Sequence, residues 1–123
     1  MNLVDSSGWL EYLADSKNAK LFASAIEKTD ELIVSTINIY EVYKKILLEK
    51  DENSAIQVIG LMQQAKVIEV NSSIAIQAAK LSYEQKIPMA DSIIYITAKQ
   101  NNGIVWTQDS DFKDLDDVKY FKK

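Results

Sequence analysis

Two aspartates at alternate positions, Asp109 and Asp111, stand directly behind the apolar run Ile104–Thr107 in "GIVWTQDSDFKDL". A third, Asp5, follows another short apolar run in "NLVDSS"; Asp91 lies in "MADSIIYITAKQ" and Glu41 in "TINIYEVYKKILLEK". Such carboxylates can hold a hard divalent cation, work as general acids or bases, or simply cap helices and coat surfaces. Composition narrows the choice. With no histidine and no cysteine, Ser-His-Asp and Cys-His catalysis, imidazole or thiolate zinc sites and disulfides are all excluded. Arginine is absent too, so all 14 positive side chains are lysines. The three glycines form neither GxxxxGK[ST] nor GxGxxG, which removes nucleotide cradles of those types. A net charge of −4 and a pI near 4.8 argue against free-standing, salt-driven nucleic-acid binding. Carboxylates, hydroxyls and lysines remain, and carboxylates with water suit Mg²⁺ or Mn²⁺.

The elements that must position these acids follow from apolar periodicity. Asn2 to Asp5 reads as a strand, followed by an amphipathic helix carrying Trp9, Leu10 and Leu13, a polar loop over Asp15 to Asn18, and a helix from Ala19 to about Lys28. Glu31 to Ser35 is the second strand. Thr36 then caps a helix to about Lys50, and Asn53 caps another through Ala65. Lys66 to Val70 is a third strand and Ser73 to Lys86 a helix. Pro88 opens a further helix from Met89 to about Asn101, Ile104 to Thr107 is the fourth strand, and Val118 to Phe121 a candidate fifth. Strands alternating with helices imply right-handed crossovers and a mainly parallel sheet covered on both faces: a three-layer α/β/α sandwich. At 123 residues, 47% apolar and 26% charged, the expectation is a single domain over 1–123. No apolar run nears the ~20 residues of a membrane span. Asp5 interrupts the first apolar run, so neither a basic leader nor a signal-peptide core is present, and a cytoplasmic protein is expected.

In parallel sheets ligands bind beyond the carboxyl ends of the strands, where strand order reverses. Asp5 and Asp109 both stand there, although either could merely cap the turn that follows. Asp91 is harder to dismiss. On its helix it shares a stripe with Ile94, Tyr95 and Ala98, where an ionised carboxylate is costly unless paired or metal-bound. The helix dipole gives some relief, and Lys86 and Lys99 are alternative counter-charges. Glu41 lies opposite the apolar face Ile39, Val42, Tyr43, Ile46 and Leu47, beside Ile37, Lys44, Lys45 and Leu48. Periodicity there favours a solvated glutamate with an i,i+4 lysine partner, yet its place one turn beyond the second strand also sets it near the sheet edge. Ile37 and Leu48 would be partly exposed. Glu11 and the remaining helix glutamates fit surfaces, and Trp9, Tyr40, Tyr43, Tyr95 and Trp106 fit the core.

Taken together, Asp5-x-Ser7, Glu41, Ala90-Asp91-Ser92 and Thr107-x-Asp109-x-Asp111-Phe112 resemble the PIN-domain family over essentially the whole chain. Element order and length look most like its VapC-type ribonuclease toxins of toxin–antitoxin pairs. The resemblance implies a PIN-like fold with strand order 3-2-1-4-5, an acidic quartet of Asp5, Glu41, Asp91 and Asp109 with Asp111 as a fifth acid, and supporting hydroxyls at Ser7, Thr36 and Thr107. For Glu41 it outweighs the solvated reading that periodicity favours. It also implies Mg²⁺ or Mn²⁺ as cofactor, with Asp5, Asp91, Asp109 and Asp111 as metal ligands, RNA as substrate, a cognate antitoxin and a homodimer. Family members often carry arginines near the site, whereas this chain must rely on Lys44, Lys45 and Lys86 as point charges for phosphate. Alternatives are an RNA-processing PIN nuclease without an antitoxin, a non-catalytic PIN-like binding module, and a phospho-acceptor receiver domain. The last needs an aspartate ending the third strand, where "VIEVNSS" offers Asn71.

Overall fold

The computed structural model describes all residues, 1–123. Five strands form one parallel sheet: β1 (Asn2–Val4), β2 (Leu32–Ser35), β3 (Lys66–Ile68), β4 (Ile104–Thr107) and β5 (Val118–Tyr120), in the order β3-β2-β1-β4-β5. Six helices accompany them: α1 (Ser6–Leu13), α2 (Ala19–Ile26), α3 (Thr36–Glu49), α4 (Glu52–Met62), α5 (Ser72–Gln85) and α6 (Met89–Gln100). The order runs outward from β1 through β2 to β3, then returns to β4 on the other flank. Strand order therefore reverses between β1 and β4, and a crevice opens above their carboxyl ends. The same order removes the receiver alternative, whose sheet runs 2-1-3-4-5. Asn71 is occupied as well: its side chain caps α5 by accepting from the Ile74 N–H at 2.9 Å.

Alternation along the strands decides which helices cover which face. Val4, Leu32 and Val34 turn to one side and pack with Trp9, Phe22, Val42, Ile46 and Met62 from α1 to α4. Leu3, Ile33 and Val105 turn to the other and meet Ile94, Tyr95 and Ala98 of α6 together with Phe112. Gly8 lets α1 lie close against β1. A Cβ there would come within 2.6 Å of Val4 Cγ1 and 2.7 Å of the Phe22 ring, too near for any side chain.

Element boundaries shift by one to three residues where side-chain capping competes with the apolar pattern. Ser35, not Thr36, caps α3, and Asp51, not Asn53, caps α4, each using its side chain to accept a backbone N–H of the first turn. Thr29–Glu31 is a 3₁₀ turn rather than the start of β2, and β3 ends at Ile68. Two burial expectations fail: Tyr40 is 60% exposed, on the outer face of α3, and Leu47, assigned to the apolar face of that helix, is 44% exposed. Leu48 is exposed and Ile37 partly exposed, both as expected, and the buried part of Ile37 packs against the α6-side core.

Candidate active site

Asp5 leaves the end of β1 with its backbone N–H still bonded to the Trp106 carbonyl of β4 at 3.0 Å, so its position is fixed by the sheet itself. It is both cap and buried acid, 2% exposed. One carboxylate oxygen accepts from Gly8 N–H at 2.9 Å and Ser7 Oγ at 2.8 Å; the other accepts from Thr107 Oγ1 at 2.7 Å and Ser7 Oγ at 3.0 Å. Burial pushes its pKa up to about 6, aided by the nearby Asp109 charge, while the donors from Thr107, Gly8 and Ser7 hold it down.

Thr107, fully buried at the end of β4, also accepts the Asp109 N–H at 2.9 Å, joining Asp5 to the turn beyond that strand. Asp109 in turn accepts the Asp111 N–H at 2.9 Å, closing an Asx turn that presents both acids. The intervening segment is anchored by buried amides. Gln108 accepts from Asn18 Nδ2 at 2.9 Å and donates to Glu11 Oε1 at 3.3 Å, and Asn18 also donates to the Lys122 carbonyl at 3.2 Å. Glu11, expected on a plain helix surface, is thus a bracket for the site loop.

Asp91 stands in the first turn of α6, after Pro88. Carboxylate oxygens of Asp91, Asp109 and Asp111 lie within 4.8 Å of one another. Burial, followed by the charges of Asp109, Asp111 and Asp5 and a hydrogen bond with Asp111, raises the Asp91 pKa to about 8. No lysine relieves this crowding, because the two ion pairs of the chain are Lys45–Glu49 and Lys99–Asp117. An oxygen-only set of mutually repelling carboxylates fits a hard divalent cation, not a soft or imidazole-seeking one.

Glu41 lies outside this closest trio. It is half-buried on α3, and its Oε1 accepts from Ser6 Oγ at 2.6 Å, which ties it to the residue next to Asp5. Sequence reasoning does not single out Ser6 or Asn38, although Ser35-x-x-Asn38 is a capping-box spacing that draws attention to Asn38. Of the expected supporting hydroxyls, Ser7 and Thr107 contact Asp5, whereas Thr36 accepts from the Val70 N–H at 3.3 Å. Lys44 lies over the Tyr40 ring at 5.8 Å, Lys45 pairs with Glu49 at 3.0 Å, and both line a concavity with Tyr40, Glu41 and Leu48. Lys86 ends α5 in a left-handed conformation with φ 60°.

No curated protein matches the chain in sequence. Solved structures match it closely in fold. A toxin–antitoxin complex from Klebsiella pneumoniae superposes with TM-score 0.80 at 20% identity, covering 96% of this chain and 95% of the other. VapC20 of Mycobacterium tuberculosis, a sarcin–ricin loop cleaving toxin, gives 0.79 at 16% identity over 97% and 98%. DNA-bound VapBC from Salmonella typhimurium gives 0.75 at 14% identity over 99% and 98%. At such identities the likeness is one of fold. The PIN domain family model matches residues 3–118, and on that match the chain belongs to the PIN domain family.

Proposed function

We propose that this protein is a Mg²⁺- or Mn²⁺-dependent endoribonuclease and the toxin of a type II toxin–antitoxin pair. The observation that carries the nuclease reading is the trio Asp91, Asp109 and Asp111, held within 4.8 Å without a lysine partner and beside Asp5. Asp91, Asp109 and Asp111 would hold the cation, with Asp5 joining them where its donors yield. A divalent cation held there would supply positive charge, lowering the pKa of a water and offsetting the charge that develops on the phosphate. Glu41 orients the attacking water. The water oxygen gives up one proton and bonds to phosphorus in line with the bond to the 3′ oxygen, which breaks; the 3′ oxygen takes up a proton, leaving a 5′-phosphate and a 3′-hydroxyl. This route needs neither a histidine nor the ribose 2′-OH. Lys44 and Lys45 border Glu41 and offer point charges for flanking phosphates, and Lys86 is a further candidate.

The toxin assignment is supported by neighbours that are themselves toxin–antitoxin and VapBC complexes. A homodimer is proposed for the apolar groove of about 490 Å³ between α5 and α6, where Tyr83 and Met89 are exposed. No helix is long and apolar enough to cross a membrane.

The test is cleavage of structured RNA by purified protein with Mg²⁺ or Mn²⁺, in parallel with excess EDTA and with Asp91→Asn. Full cleavage in EDTA or by the variant would overturn the metal mechanism. Metal binding without cleavage of any RNA would favour the non-catalytic module instead.

A further inference from the structure

Glu41 is the one acid of the set whose placement comes from another helix, and the hydrogen bonds reaching it have a fixed direction. Asn38 is fully buried in the first turn of α3. Its Oδ1 accepts from the Ser35 N–H at 3.0 Å. A backbone N–H can only donate, so this contact settles which way the Asn38 amide faces: the Nδ2 group must turn toward α1. There it donates to Ser6 Oγ at 3.1 Å. Ser6 has a single hydroxyl proton and, with its lone pair engaged by Asn38, directs that proton to Glu41 Oε1 at 2.6 Å. The chain therefore runs one way, from the Asn38 amide through the Ser6 hydroxyl to the Glu41 carboxylate. Each link polarises the next, so the last bond is stronger than an isolated hydroxyl contact.

We propose that Asn38 and Ser6 are positioning residues that fix Glu41 for catalysis. The relay engages one carboxylate oxygen of Glu41 and leaves the other without a protein donor. It also ties α3 to α1 beside Asp5, so that the end of β2 and the end of β1 deliver their acids in one fixed arrangement. Asn38 thus has two tasks: its oxygen closes the α3 cap and its nitrogen aims Ser6. This inference rests on the nuclease reading for its catalytic consequence, but the relay itself is a property of the metal-free protein.

Two measurements test it. The first needs no metal: the Asn38 side-chain amide signals are followed by NMR in a double-mutant cycle. Glu41→Gln should shift them in the wild-type background and leave them unmoved in Ser6→Ala. An equal shift in both backgrounds would overturn the relay. The second is steady-state cleavage. Ser6→Ala should lower kcat about 10–100-fold, the usual cost of losing a group that orients a metal-site ligand, with KM for RNA within about twofold of wild type. Ser6→Thr, which keeps the donor, should restore most of the rate. Wild-type kcat in Ser6→Ala, or Ser6→Thr as impaired as Ser6→Ala, would overturn the positioning role. If the wild-type protein cleaves no RNA, the nuclease reading fails while the NMR cycle still decides the relay.

Discussion

Asp91→Asn should make the metal-free protein more stable while destroying its activity, and the sign follows from the site's electrostatics. In the folded state burial and crowding raise the Asp91 pKa from the ordinary 3.8 to about 8. Below about pH 4 both folded and unfolded chains carry the proton, so there is no penalty. As pH rises from there toward 8 the unfolded chain ionises first, and the folded state loses stability progressively. At pH 7 the nominal penalty is about 4 kcal/mol, which solvent screening at this half-buried group reduces to about 1–2 kcal/mol. Asparagine carries no charge and removes that penalty. For a chain this size, 1–2 kcal/mol corresponds to about 4–8 °C in Tm. The assay is thermal denaturation of both proteins in EDTA at pH 4, 6 and 8. The Asn variant should gain little at pH 4 and most at pH 8. Saturating Mn²⁺ should reverse the order, because a cation at 100 times its Kd adds about 2.7 kcal/mol to a wild type that binds it and little to a variant that does not. No gain at pH 8 in EDTA, or an equal gain at pH 4, would refute the crowding argument.

Thr107→Val removes the hydroxyl that donates to Asp5 and accepts from Asp109; it should cost about 1–3 kcal/mol in urea denaturation and lower kcat at least tenfold. Gly8→Ala forces a methyl onto Val4 and Phe22 and should destabilise by about 1–3 kcal/mol, measurable as a lower denaturation midpoint with unchanged slope. The double change Lys44→Glu with Lys45→Glu should raise KM for RNA several-fold and flatten its salt dependence without altering kcat. An unchanged salt slope would exclude both lysines from phosphate contact.

Much of this arrangement is legible in the sequence because the physics involved is local. Short apolar runs between helical patterns mark the strands, and the parallel topology implied by their alternation already places Asp5 and Asp109 at one edge. Asp91 stands out because a carboxylate on the stripe of Ile94, Tyr95 and Ala98 contradicts its surroundings. Capping is less legible. Ser35, Asp51 and Asn71 sit beside residues equally able to cap, and the choice depends on where the preceding strand or turn releases the chain.

Glu41 shows why periodicity alone fails at the start of a helix. Averaged over all of α3, its arc is the solvent side, and Lys44, Lys45 and Leu48 on that arc are indeed exposed. The first turns differ, since both flanks are covered: Ile37 packs toward the α6 side while Ile39 and Val42 pack toward α1, α2 and α4. Glu41 sits where this cover gives way to solvent, close enough to the end of β1 for Ser6 to reach it. A hydrophobic stripe reports which side of a helix faces the sheet. It carries no information about a neighbouring helix end that covers one turn of the opposite side. Only the crossing of α1 over the start of α3, set by the sheet order and by the tight approach at Gly8, turns a surface glutamate into a held one.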